Sequence, residues 1–166
     1  MTIETEGDPD PGDPNGPLDR FDRRILDVLA AEGRLSVTAL AARIGLSKTP
    51  TQTRLARLLR RRVIRGFRAV IDPAALALDH VAFVQVRLAD TREAALDAFA
   101  EAVARVPEIE TCHMIAGPFD YLLKVRTRDV RAYRTVLGEH ISTLPFVAGT
   151  STFVAMETVK DDPLRL

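Results

Sequence analysis

Hydrophobic positions along the chain fall into two regimes with different periods. From Asp19 onward they recur at helical spacing: Phe21, Ile25, Leu26 and Leu29, then Val37, Leu40, Ala41 and Ile44, then Leu55, Leu58 and Leu59. Each run is punctuated by residues that start or stop helices. Asp19, with Asp22 three residues on, forms a capping box, Ser36 and Ser47 stand at N-cap positions, Gly33 and Gly45 end helices, and Pro50 sits in a first turn that needs no N–H. Three helices are predicted, the third ending near Arg61, followed by a short apolar strand at Phe67–Ile71 that Asp72-Pro73 breaks. After this the period shortens to two. His80–Leu88 alternates as a strand, Arg92–Arg105 is an amphipathic helix stopped by Pro107, and Ile109–Ile115 and Tyr121–Val125 are strands around a Gly117-Pro118 turn. Val130–Leu144 is a second helix stopped by Pro145, and Val147–Glu157 is a last strand rich in Thr and Val.

These elements predict an α+β chain. Residues 18–66 form a helix-turn-helix domain of winged-helix-like form, residues 67–76 a strand and linker, and residues 77–160 a β-α-β-β-α-β domain of ferredoxin-like type. Residues 1–17, with four prolines, three glycines and five acids, are expected to be a disordered acidic tail, and 161–166 a short tail. A four-stranded sheet with helices on one face leaves the other face to be covered, and self-association is the simplest cover.

Charge sharpens the picture. The formal net charge is zero, but Lys and Arg against Asp and Glu run 0 to 5 over residues 1–17, 12 to 4 over 18–66, and 11 to 14 over 67–166. A compact segment of net +8 in an otherwise acidic chain is the electrostatic footprint of a nucleic-acid-binding module. The third predicted helix follows the tight Gly45-Leu46 turn, the position of a recognition helix in the major groove of double-stranded DNA. Its outward residues are read as Ser47, Lys48, Thr49, Thr51, Gln52, Thr53 and Arg54, donors and acceptors sized for base edges, with Gln52 suited to adenine and Arg54 to guanine. Arg57 and Arg61 follow as phosphate neutralisers, with Arg60, Arg62 and Arg65 beside them.

Other chemistry is thinly supported. The single Cys112 cannot form an internal disulfide or a multi-cysteine zinc site, and strand alternation puts Cys112 and His113 on opposite faces. No phosphate loop, dinucleotide fingerprint, catalytic constellation or apolar run of membrane-spanning length is present, so no catalytic residue, cofactor, metal or membrane partner is expected and the location is expected to be cytoplasmic. A metabolic enzyme with an accessory helical domain, or a purely structural oligomer, would leave the +8 segment unexplained.

The motifs Leu18-Asp19-Arg20-Phe21-Asp22-Arg23-Arg24-Ile25-Leu26, Gly45-Leu46-Ser47-Lys48-Thr49-Pro50 and Val63-Ile64-Arg65-Gly66-Phe67 resemble the DNA-binding domain of the Lrp/AsnC (feast/famine) transcription regulators. Cys112–Lys124 resembles that family's effector-domain signature, and Thr150–Glu157 its closing strand; the resemblance runs from about Leu18 to Lys160. It implies homodimers joined through the C-terminal sheets, commonly assembled into octameric rings (tetramers of dimers). It also implies a small effector, usually an amino acid, held between subunits. By position, that effector site falls on Met114, Gly117, Asp120, Tyr121, Thr150, Ser151 and Thr152. Asp120 could meet an α-ammonium, and hydroxyls and loop N–H groups near Gly117 a carboxylate. The chain departs from the family pattern at Pro118, which removes one loop N–H, and at Thr51-Gln52-Thr53 in the recognition helix. Asp79–Val86 and the closing Thr-Ser-Thr are similar to members that activate proline dehydrogenase genes.

Overall fold

A computed structural model describes residues 16–161. The expected tail at residues 1–17 lies outside the described residues apart from Gly16 and Pro17, and that at 161–166 apart from Asp161. The described residues divide into two compact units, the first of residues 16–70 with Asp161 and the second of residues 71–160.

The first unit holds three helices, α1 (Arg20–Ala31), α2 (Val37–Ile44) and α3 (Lys48–Arg60). Asp19 caps α1 through its carboxylate, which accepts the N–H groups of Phe21 and Asp22, while the Asp22 carboxylate accepts the Asp19 N–H to close the capping box. Ser36 caps α2 by accepting the Ala39 N–H at 3.1 Å. Ser47 holds the cap position of α3 through its backbone, and its hydroxyl makes no capping bond. Ile25, Leu40, Ile44 and Leu58 form the buried centre, with Leu26, Leu29, Leu46 and Leu55 packed around it. Leu59, expected inward, stands 38% exposed, because the buried stripe of α3 runs through Thr51, Arg54 and Leu58 instead.

Gly45 makes the α2–α3 turn in the left-handed region (φ 76°, ψ 32°), and its N–H closes on the Ala41 carbonyl. A Cβ there would meet nothing within 4 Å, so only backbone strain opposes a side chain. Gly45→Ala is therefore expected to cost about 1 kcal/mol, read as a lowered denaturant midpoint at unchanged slope.

The strand expected at Phe67–Ile71 is not formed: residues 65–72 have no regular structure, and Phe67, Val70 and Ile71 are exposed. Strand-forming residues need a partner edge to make a ladder, and among the described residues none pairs with this segment. A short 3₁₀ turn, Pro73–Leu76, follows.

The second unit contains β1 (His80–Leu88), α4 (Glu93–Val103), β2 (Ile109–Met114), β3 (Tyr121–Thr127), α5 (Val130–Val136), continued by a π turn over Leu137–Ile141, and β4 (Val147–Val154). The sheet order is β2-β3-β1-β4, antiparallel throughout. One sheet face, with Ala82, Val84, Val86, Leu123 and Val125, packs with Phe99 and Val103 of α4 and Tyr133 and Val136 of α5. The other face presents Phe83, Gln85 and Arg87 of β1 across from Phe153, Ser151 and Gly149 of β4. β4 ends at Val154, three residues earlier than its composition suggested, although the Ala155 N–H still reaches the Val81 carbonyl at 2.9 Å.

Candidate DNA-reading helix and effector loop

The charged residues at the start of α1 do more than cap it. The Asp22 carboxylate is 0% exposed and lies 3.0 Å from Arg54 Nη1 through one oxygen and 2.5 Å from Arg57 Nη2 through the other. Arg54 Nη1 also donates to Asp19, and its guanidinium carbon lies 5.4 Å from the Phe21 ring centroid. Two arginines of α3 are thereby bolted to two carboxylates of α1, in a geometry where each charge has its partner. Burial by itself would raise the Asp19 carboxyl, but the Asp22 N–H, the Arg54 guanidinium and the Phe21 N–H together hold it below the ordinary Asp value.

This corrects the expectation for three residues of the recognition helix. Arg54 and Arg57, at 7% and 4% exposure, face α1 and not solvent. Thr51 is fully buried, and its hydroxyl donates to the Ser47 carbonyl at 2.9 Å. The physical reason is the helical period: Thr51, Arg54 and Leu55 share the face set by Leu58. Ser47, Lys48, Thr49, Gln52 and Thr53 are exposed, and Thr53 bonds back to the Thr49 carbonyl at 3.2 Å. Arg61, half-buried just past α3, donates to the Gly16 carbonyl at 2.8 Å.

In the second unit the loop between β2 and β3 is organised by Asp120. Its N–H donates to the Val86 carbonyl at 2.9 Å and its own carbonyl accepts the Ile115 N–H at 2.8 Å. One carboxylate oxygen accepts the Leu88 N–H at 2.7 Å. Gly117 is exposed within this loop, with Pro118 beside it. Register then places Met114 opposite Tyr121, Tyr121 opposite Val86, and Val86 opposite Thr150. The four make one row across the sheet on its helix-packed side. Tyr121 is buried against the Phe99 ring, centroids 4.5 Å apart, whereas Met114 is 61% exposed. Burial raises the Tyr121 phenol above its ordinary value, with Cys112, Asp120 and Asp97 adding to the shift; it is a neutral hydrogen-bonding group near neutral pH.

Within one chain the expected Thr-Ser-Thr donor cluster is split. Ser151 pairs with Gln85, whose side chain lies on the opposite sheet face from those of Val84 and Val86, the partners of Thr152 and Thr150. The Thr152 hydroxyl lies 2.5 Å from that of Tyr133 and is already engaged. Thr150 stands two strands from Tyr121, roughly 10 Å at normal strand spacing. The structure thus brings Met114, Gly117, Asp120 and Tyr121 to one end of the sheet, with Thr150 two strands off in the same row, and sets Ser151 and Thr152 apart from them. Cys112 packs toward the helix-side core while His113 pairs with Leu122 on the other face.

Two family models match the chain: the AsnC-type helix-turn-helix domain over residues 18–59 and the Lrp/AsnC ligand binding domain over residues 81–164. The chain is 60% identical over 144 residues to a proline dehydrogenase transcriptional activator of Rhizobium radiobacter, covering 87% of this chain and 92% of the relative. It is 43% identical over 147 residues to the leucine-responsive regulatory protein of Escherichia coli K12, covering 89% and 90%. Among solved structures it is similar to a feast or famine regulatory protein from M. tuberculosis complexed with L-methionine, with a TM-score of 0.81, 33% identity and coverage of 90% and 99%. A transcriptional regulator of Neisseria meningitidis, also in complex with L-methionine, matches with a TM-score of 0.81, 28% identity and coverage of 88% and 94%. These relatives are regulators and not enzymes. With helix-turn-helix and sheet each matched in place, the chain belongs to the Lrp/AsnC family of DNA-binding transcriptional regulators.

Proposed function

We propose that this regulator controls a proline dehydrogenase gene, reads its operator with the exposed side of α3, and is tuned by an α-amino acid held at the Asp120 end of the sheet. The observation that carries the target assignment is the 60% identity, over 87% of the chain, to a proline dehydrogenase transcriptional activator. Its second support is the 52% identity over 142 residues to another activator of that name from Rhodobacter capsulatus. The amino-acid effector is supported by the L-methionine bound to two solved relatives. The split of the β4 hydroxyls suits a site that a second subunit completes, so assembly belongs to the proposal. Dimers form through the helix-free sheet face, where the paired Phe83 and Phe153 are 37% and 54% exposed, and four dimers close an octamer.

On DNA, Gln52 and Lys48 read base edges, Ser47, Thr49 and Thr53 bond to backbone and bases, and Arg61 neutralises phosphate. The test is fluorescence anisotropy on a duplex from upstream of the proline dehydrogenase gene and on a shuffled duplex, with and without L-proline. Preferential binding to the first, altered by L-proline, is the expected result, and equal binding to both overturns the target. Gln52→Ala is expected to weaken binding to the true operator roughly tenfold, an effect of about 1–2 kcal/mol, while leaving the shuffled duplex unaffected.

A further inference from the structure

We propose that the acidic segment of residues 1–15 docks on the exposed cationic face of the helix-turn-helix unit and competes there with DNA. The proposal rests on the DNA-binding role of that unit and adds an occupant for it when DNA is absent. The two surfaces are complementary in charge. The segment carries Glu4, Glu6, Asp8, Asp10 and Asp13 and no lysine or arginine. The unit's own acids cannot neutralise its surface, because Asp19 and Asp22 are buried and committed to Arg54 and Arg57. Outside that quartet, residues 18–66 hold ten Lys and Arg against two acids, Asp27 and Glu32. Glu32 is itself paired with Arg43 at 2.6 Å.

Arg61 Nη1 holds the Gly16 carbonyl at 2.8 Å, so residues 1–15 depart from the C-terminal end of α3, beside the arginines that follow it. From Arg61 back to Lys48 is thirteen residues, roughly 20 Å along a helix. An extended chain covers that in about six residues, which brings Asp10 and Asp8 within reach of Lys48 and leaves Asp13 beside the C-terminal arginines. Both family matches begin at residue 18 or later, so the segment lies outside the part shared with the family models.

A tethered anion of this kind acts at an effective concentration of order millimolar, and its contacts are screened by salt as phosphate contacts are. It penalises every duplex alike, while only an operator adds base contacts to set against it. Affinity for operator and random duplex thereby falls by the same factor, and the ratio between them is unchanged.

The test compares the full chain with its E4Q/E6Q/D8N/D10N/D13N variant on a random 30-bp duplex by anisotropy. The variant is expected to bind roughly tenfold tighter at 50 mM NaCl and within about twofold at 300 mM. In parallel, a zero-length carbodiimide joins carboxylates to lysines, and Lys48 is the only lysine in residues 18–66. Mass spectrometry of the wild-type chain is expected to find Lys48 joined to acids of residues 1–15 at 50 mM, a product lost at 300 mM or on adding duplex. Equal affinities at 50 mM overturn the proposal, as does the absence of that cross-link. If neither chain binds any duplex, the DNA-binding role fails separately, and the cross-link alone decides whether the segment docks.

Discussion

Replacing Asp22 with Ala is expected to destabilise the helix-turn-helix unit by about 3–5 kcal/mol, the usual cost of removing one partner from a buried ion pair, and to abolish operator binding with it. Asp22 is fully buried and faces two guanidinium groups, so its loss removes the carboxylate that Arg54 and Arg57 share and leaves a buried excess of positive charge. Denaturant unfolding gives the stability, and anisotropy on the operator gives the binding. The same geometry separates Arg54 and Arg57 from true DNA contacts. Arg54→Met should lower stability yet leave the slope of log affinity against log salt unchanged, since a residue that touches no phosphate releases no counterion. A slope reduced by about 0.9 would return Arg54 to the DNA surface. Acid acts on the same node. The Asp19 carboxyl is held below its unfolded value, so its contribution is complete above about pH 4 and fades as pH falls through the lowered folded value. Unfolding followed between pH 5 and pH 2 should show this unit weakening over that window, and less so in Asp19→Asn.

The quartet also shows what sequence could and could not convey. Period, caps and turn residues placed all three N-terminal helices and the order β-α-β-β-α-β, because each depends on neighbours within a few residues. Residue type alone marks Arg54 and Arg57 as cations for DNA, although the face set by Leu58 with Leu55 already includes Thr51 and Arg54. The useful signal was the pair Asp19 and Asp22, three apart, which can face two arginines three apart on another helix. The strand expected at Phe67–Ile71 depends on an edge that no local pattern supplies. Composition groups the Thr-Ser-Thr run, but strand alternation alone sets Ser151 apart from Thr150 and Thr152. What remained beyond sequence was the engagement of Thr152 by Tyr133, nineteen residues away, and the role of Asp120 as a backbone anchor.

That anchoring role makes Asp120 a residue with two separable functions, and Asp120→Asn is expected to divide them. An amide oxygen can still accept the Leu88 N–H that the carboxylate now accepts at 2.7 Å, so stability should stay within about 0.5 kcal/mol of wild type, the range of changes that break no buried contact. The charge that would meet an effector ammonium is gone, and hydrogen bonds to charged groups contribute about 1.5–3 kcal/mol. Effector affinity should therefore fall ten- to hundredfold. Asp120→Ala should show the same loss of affinity and, in addition, about 1 kcal/mol of destabilisation from the unsatisfied Leu88 N–H. Calorimetric titration with L-proline and L-methionine, alongside thermal unfolding of each variant, measures both quantities. The pairing of results decides the matter. If Asp120→Asn binds effector as tightly as wild type while Asp120→Ala is destabilised, Asp120 serves only to pin the β2–β3 loop to β1, and the ammonium must be met by another group. If both variants lose binding and only Ala loses stability, one carboxylate oxygen holds the loop while the other faces the ligand. Effector binding would then be coupled to the very hydrogen bonds, at Val86, Leu88 and Ile115, that fix the end of the sheet. A ligand on the Asp120 carboxylate would in that way bias the sheet end, and with it any subunit contact built there.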